Sequence, residues 1–192
     1  YYPATSGQIR LGDKDLNDID LRWWRSKCGA VMQDGYIFAD SMANNIAISS
    51  DTPEQDRLHY AVETANLNDY IQSLPLGLST KIGHNGQGLS QGQKQRILLA
   101  RAIYKNPDFV FLDEATNALD TENERMIVNN LRKFYQDKTV VVVAHRLSTV
   151  RHADCIVVLH EGRIVESGTH EELTALRGRY FALVKDQLEL GM

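Results

Sequence analysis

The 192-residue chain is 43% hydrophobic and 24% charged, which excludes a disordered polymer and suits one α/β domain with room for a small satellite. Its formal net charge of −4, with basic residues scattered along the chain, argues against a nucleic-acid-binding surface or an anionic-membrane surface. No apolar run approaches the roughly 18 residues that cross a bilayer, so any membrane role needs a span from another segment or subunit.

In chain order, the turn signal Ala4-Thr5-Ser6-Gly7 precedes Gln8-Ile9-Arg10-Leu11, which alternates like a half-exposed strand. No charged and apolar leader opens the chain, so no signal peptide is expected. Trp23 and Trp24 are expected to pack. Cys28 to Met32 reads as a buried strand ending at Gln33-Asp34. Cys28 and Cys155 lie in apolar stretches without metal-ligand spacing and are expected to be buried, reduced thiols in a cytosolic compartment. From Met42 to Lys105 the texture is helical. Thr52-Pro53-Glu54-Gln55 predicts a capped helix start, with Leu58, Val62 and Ala65 on one face. A second helix is expected from about Ser90 to Lys105, stopped by Asn106-Pro107.

The pattern then becomes strand, helix, strand. Phe109 to Leu112 is a short apolar run of the parallel-sheet kind. Thr121 to Tyr135 places Ile127, Leu131 and Phe134 at helical spacing, with Thr121 and Glu124 as its expected capping pair. Thr139 to Ala144 is a second buried strand, Ile156 to Glu166 a hairpin across Glu161-Gly162, and Thr169 to Glu172 a cap for a C-terminal helix. Strands alternating with helices predict a mainly parallel sheet with helices packed on it.

Two local patterns carry chemistry. Asp113-Glu114 leaves the C-terminal tip of a buried strand, where α/β sheets place ligands. One such carboxylate can hold Mg²⁺ and the other can orient or deprotonate a water for attack on a phosphoryl group. The same pair could instead solvate a strand end or cap the next helix. Leu89-Ser90-Gln91-Gly92-Gln93 opens a helix, where Ser90 and Gln93 can form a capping box and the amides around Gly92 can face an anion. Such starts are also common as purely structural features.

Taken together and in order, these residues closely resemble the ATP-binding cassette family. Leu89 to Gln93 resembles its LSGGQ signature, followed by Gln95-Arg96 and Ala100-Arg101-Ala102, and the strand to Asp113-Glu114 resembles Walker B. Gln33 resembles the Q-loop glutamine, Asn117-Ala118-Leu119-Asp120 the D-loop usually written SALD, and His145 the switch histidine. Val158 to Leu173 resembles the family's closing segment. The resemblance implies a P-loop-type α/β fold: residues 1–43 as part of the ATPase core, 44–105 as a helical signature subdomain, and 106–192 as the rest of the core. It implies ATP and Mg²⁺ as ligands, with Asp113 and Gln33 toward the metal and Glu114 and His145 catalytic. Ser90, Gly92 and Gln93 would face the nucleotide of a second nucleotide-binding domain packed head to tail, and Asp120 would lie along that interface. Gln91 departs from the usual glycine without touching the expected bonding groups.

No GxxxxGK[ST] occurs in the chain. The resemblance implies a chain starting just after the helix that follows that loop, lacking the Walker A strand and helix. Such a chain is expected to be inactive by itself, and to compensate for a missing strand beside Val140–Val143 by association or rearrangement. The short interval between Gln33 and Leu89 leaves no space for a long coiled coil. Thr80 to Gly86 resembles the exporter loop TxVGERG, with His84 and Asn85 replacing its Glu and Arg, and Asp34 to Phe38 and Asn44 to Ala47 are also exporter-like. These features imply a partner transmembrane domain, a place on the cytoplasmic face of the bacterial inner membrane, and no nucleic acid. The likeness runs furthest toward peptidase-containing exporters of bacteriocin-like peptides. A non-transport ATPase clamp and a non-catalytic structural half are the alternatives.

Overall fold

A computed structural model describes residues 4–48, 50, 52–144 and 146–190. The chain opens with a small antiparallel ribbon, β1 (Arg10–Leu11) and β2 (Lys14–Asp15), and then helix α1 (Leu21–Lys27), capped by the Asp20 carboxylate on Trp23 N–H at 2.8 Å. Strand β3 (Cys28–Val31) follows directly. Helices α2 (Met42–Ile46), α3 (Gln55–Thr64) and α4 (Asn68–Ser73) lead to the long helix α5 (Gln91–Lys105). Then come β4 (Phe109–Asp113), α6 (Thr121–Phe134), β5 (Thr139–Val143), α7 (Leu147–Val150), the strands β6 (Ile156–His160) and β7 (Arg163–Gly168), α8 (His170–Leu176) and α9 (Arg179–Leu190).

The expected parallel sheet is present, in the order β3-β4-β5, with Val31 beside Leu112 and Asp113 beside Val143. This register brings the C-terminal ends of all three strands to one edge. Val31, Val110 and Leu112 are buried on one face, against α5 and α6. On the opposite face Trp24 packs on Phe109 at 4.9 Å between ring centroids, while Val141 and Val143 stay about half exposed. Among the described residues β5 is an edge strand.

One core joins the sheet to helices α2 through α6, with Leu58, Val62, Ala65, Ile127, Leu131 and Phe134 all inside. Burying each Val, Leu, Ile or Phe side chain of this set contributes about 1.5–3 kcal/mol. A smaller core, built from Ile156, Val158, Leu173, Tyr180 and Val184, lies under the β6-β7 hairpin. That hairpin turns at Glu161-Gly162, both with positive φ (49° and 74°), as a tight two-residue turn requires.

Five local expectations need correction. The Thr139–Ala144 run forms strand β5 over Thr139–Val143, but as an edge strand it is half-buried to exposed instead of buried. Helix α3 begins at Gln55, not around Pro53, and its cap residue is Glu54 without a side-chain cap. The Glu54 N–H is taken by the Tyr104 hydroxyl at 3.1 Å, so a tertiary contact sets the start. Helix α6 is capped by Asp120 rather than by Thr121 with Glu124, because Glu124 turns inward to pair with Arg146. Cys155 is exposed and Cys28 only half-buried. Trp23 is exposed, so only Trp24 of the pair packs.

Candidate functional site

Glu114 follows the last residue of β4 and adopts φ of 49°, a left-handed conformation that a non-glycine residue holds only when its surroundings impose it. Those surroundings are visible. The Glu114 N–H donates to Val143 O at 2.9 Å, and its carbonyl accepts from Asn117 N–H at 3.1 Å and from Gln95 Nε2 at 2.8 Å. Its carboxylate Oε2 accepts from Asn117 Nδ2 at 2.6 Å. Asp113, one residue earlier, pairs in register with Val143 at the same sheet edge. Gln33 lies two residues beyond Val31, whose partner is Leu112, so it leaves the sheet at this edge too. His145 lies outside the described residues; it comes two positions after Val143.

The donors at this edge are oxygens, the Asp113 carboxylate and the Gln33 amide carbonyl, which suit a hard cation. Among the described residues no group of three or more His, Cys, Asp or Glu side chains could by itself enclose a metal. That donor set fits Mg²⁺ held by one or two protein oxygens together with phosphate, and does not fit a protein-only cage.

Helix α5 starts as its sequence predicts. Ser90 Oγ accepts from Gln93 N–H at 3.1 Å, and the Gln93 side chain accepts from Ser90 N–H at 2.8 Å. Gly92 rests on the D-loop: a methyl group added there would lie 3.1 Å from the Ala118 carbonyl oxygen. The small residue thus lets the helix start and the Asn117–Asp120 segment sit in direct contact. Asp120 caps α6, accepting from the Asn123 N–H at 2.9 Å and the Asn123 side-chain amide at 2.6 Å, and these bonds hold its carboxyl below its ordinary range.

Two residues have joining roles that the sequence motifs do not assign. Gln95, 4% exposed, donates to Glu114 O and accepts from Ala118 N–H at 3.0 Å. The signal was a polar residue on the otherwise apolar face of α5. Arg146 pairs with buried Glu124 and donates to the carbonyls of Asn117 and Leu119, each at 3.3 Å. No sequence pattern announces that contact. The D-loop is therefore held from the helix α5 side by Gln95 and from the β5 side by Arg146.

A second region lies beyond Gln33. Tyr36 and Phe38 are exposed, with ring centroids 4.9 Å apart, and His84 lies 6.2 Å from Tyr36. Arg101 braces this segment, donating to Tyr36 O at 3.0 Å and Asn45 O at 2.8 Å. The buried Asn45 bonds both the N–H and the carbonyl of Phe38. The Thr80–Gly86 loop joins it through Met42 N–H to Thr80 O and Ile82 N–H to Asp40 O, both 2.9 Å.

A parallel sheet with paired carboxylates at its tip, against the capped start of a signature-like helix, defines an ATP-binding-cassette type of domain. Residues 1–117 match the family described as ABC transporter, and the chain belongs to that family. It is 43% identical over 189 residues to multidrug resistance protein 4 of Entamoeba histolytica, covering 97% of this chain and 14% of that protein. It is 47% identical over 183 residues to the ATP-dependent lipid A-core flippase of Albidiferax ferrireducens, covering 95% of this chain and 31% of that protein. The fold is similar to that of a bacterial Atm1-family ABC exporter solved with ATP bound, with a TM-score of 0.91, 36% identity, and 97% of this chain and 32% of that chain covered. The chain thus spans about a seventh to a third of these relatives. Among the described residues no helix is long and apolar enough to cross a membrane.

Proposed function

We propose that this chain forms the larger part of the ATP-hydrolysing domain of an ABC exporter, working with a transmembrane domain and a second nucleotide-binding domain at the cytoplasmic face of a membrane. The observation that carries the reading is the left-handed Glu114 at the tip of β4, bonded through Gln95 to the helix that begins at Ser90. Glu114 would orient and deprotonate the attacking water, with His145 acting beside it. Asp113 and Gln33 would hold Mg²⁺, which when bound neutralises charge on phosphate oxygens. Ser90, Gly92, Gln93 and Asp120 would face the neighbouring domain's nucleotide, and residues 44–105 would form the helical signature portion. Tyr36, Phe38 and His84 form the exposed aromatic surface best suited to receive the transmembrane partner.

Export of bacteriocin-like peptides by a peptidase-containing parent is proposed from the overall likeness of the sequence, and the relatives reported above are named for multidrug resistance and for lipid A-core flipping. Because no GxxxxGK[ST] occurs in these 192 residues, the chain alone is proposed to bind Mg-ATP weakly, and micromolar affinity in equilibrium dialysis would contradict this. For the central reading, Glu114→Gln in the full-length protein is expected to slow ATP hydrolysis by about 10²–10⁴-fold with ATP binding intact. Unchanged turnover would remove Glu114 from the chemistry.

A further inference from the structure

We propose that Asn117 is a positioning residue for Glu114, its side-chain amide setting the plane of the carboxylate that activates water. The inference rests on the reading of Glu114 as the base and adds a residue to it. The backbone of Glu114 is already fixed at both ends, its N–H to Val143 and its carbonyl to Gln95 and to the Asn117 N–H. The side chain adds three rotatable bonds, and a base loses much of its precision if it samples several rotamers. Asn117 restricts that sampling. Its backbone N–H and its Nδ2 bond the carbonyl and the carboxylate of the same residue, at 3.1 and 2.6 Å, closing two rings across one turn. A donor committed to Oε2 fixes the direction in which the other carboxylate oxygen presents its lone pairs.

Asn117 is itself anchored. Its carbonyl accepts from Arg146 Nη2 at 3.3 Å, and Arg146 is held in turn by Glu124. Its neighbour Ala118 donates its N–H to Gln95. The amide therefore projects from a segment secured on both sides.

The test uses the full-length protein, measuring kcat and KM for ATP hydrolysis and, separately, nucleotide Kd. Asn117→Asp keeps the size but turns a carboxylate oxygen toward Glu114, and Asn117→Ala deletes the donor. Expected are losses in kcat of about 10²-fold and about tenfold respectively, with KM and Kd within about twofold, because a misdirected base costs rate without costing binding. In a Glu114→Gln background neither substitution should lower kcat further. An unchanged kcat in both variants would overturn the proposal. So would an equal extra loss in the Glu114→Gln background, which marks a purely structural role, or a loss that falls in KM and Kd. If Asn117→Asp lowers the thermal midpoint, Asn117→Ala and its cycle with Glu114→Gln carry the decision. Should Glu114→Gln itself leave turnover intact, the base assignment fails; should it abolish turnover while the Asn117 variants remain at wild-type rate, only the role of Asn117 falls.

Discussion

Gln95 offers a direct test of how the site is held together. Its amide gives Nε2–H to Glu114 O and takes the N–H of Ala118, from a position 4% exposed. In Gln95→Leu both bonds vanish. Glu114 O keeps Asn117 N–H as a donor, and Ala118 is exposed enough to find water, so neither group bears the full penalty of an orphaned buried atom. At about 0.5–1.5 kcal/mol net per bond, the expected loss is about 1–3 kcal/mol. In a domain of this size that is a drop of about 2–12 °C in the unfolding midpoint. Gln95→Glu behaves differently. The introduced carboxylate can still accept from Ala118, but it turns an oxygen toward Glu114 O where a donor stood, and buries a charge. Protonated, it regains an O–H donor for that carbonyl. Its folded pKa must therefore lie above the unfolded value of about 4.3. By linkage, its stability is fully kept below that value and is lost as pH rises through the folded pKa. Urea unfolding followed by circular dichroism at pH 5 and pH 8, each against the parent, should show a Gln95→Glu deficit larger at pH 8, by then exceeding about 3 kcal/mol, while the Gln95→Leu deficit stays level. Equal, pH-independent deficits for the two variants would refute the bonding assigned to the amide.

Two further expectations concern the supports around it. Arg146→Ala is expected to cost about 2–4 kcal/mol in denaturant unfolding and Glu124→Gln only about 1, because Glu124 is deeply buried whereas the Arg146 side chain, 39% exposed, can turn to water; the reverse order would contradict this account of the pair. Asp120 has a carboxyl held below its ordinary value of 3.8 by the Asn123 bonds, so its contribution is fully present above that value and fades as pH falls through the lower folded pKa. Asp120→Asn keeps a capping oxygen that does not titrate, and acid unfolding profiles should therefore be shallower below about pH 4 in the variant than in the parent.

What could be read in the sequence follows how far each signal depends on distant partners. The apolar runs of β4 and β5 and the Ser90-Gln93 and Thr169-Glu172 boxes involve residues one turn or one strand apart, and all form, although β5 is half-buried to exposed instead of buried. The misread positions depend on partners far along the chain. Glu54 starts its helix where it does because of Tyr104, and Glu124 forsakes its own helix end for Arg146. Local capping propensity is worth about 1 kcal/mol, which a buried ion pair or a tertiary hydrogen bond readily outweighs. The same rule explains the site. Asp113, Glu114 and the helix start were legible as motifs, whereas Gln95 and Arg146 join segments roughly 20 to 30 residues apart.

This division has a physical consequence for the chemistry. A left-handed glutamate is costly, about 1–3 kcal/mol, and the bonds from Asn117 in its own segment are joined by bonds from two other elements in holding that conformation. Its backbone partners come from β5, from α5 and from the turn that opens the D-loop. Strain at Glu114 is thus held only while sheet, signature-like helix and D-loop keep their mutual positions. If a neighbouring domain's nucleotide docks at the start of α5 as proposed, a shift there would act on the Glu114 carbonyl through Gln95, one turn into the same helix. On that proposal, the geometry that positions the carboxylate would also report whether the opposite nucleotide is in place.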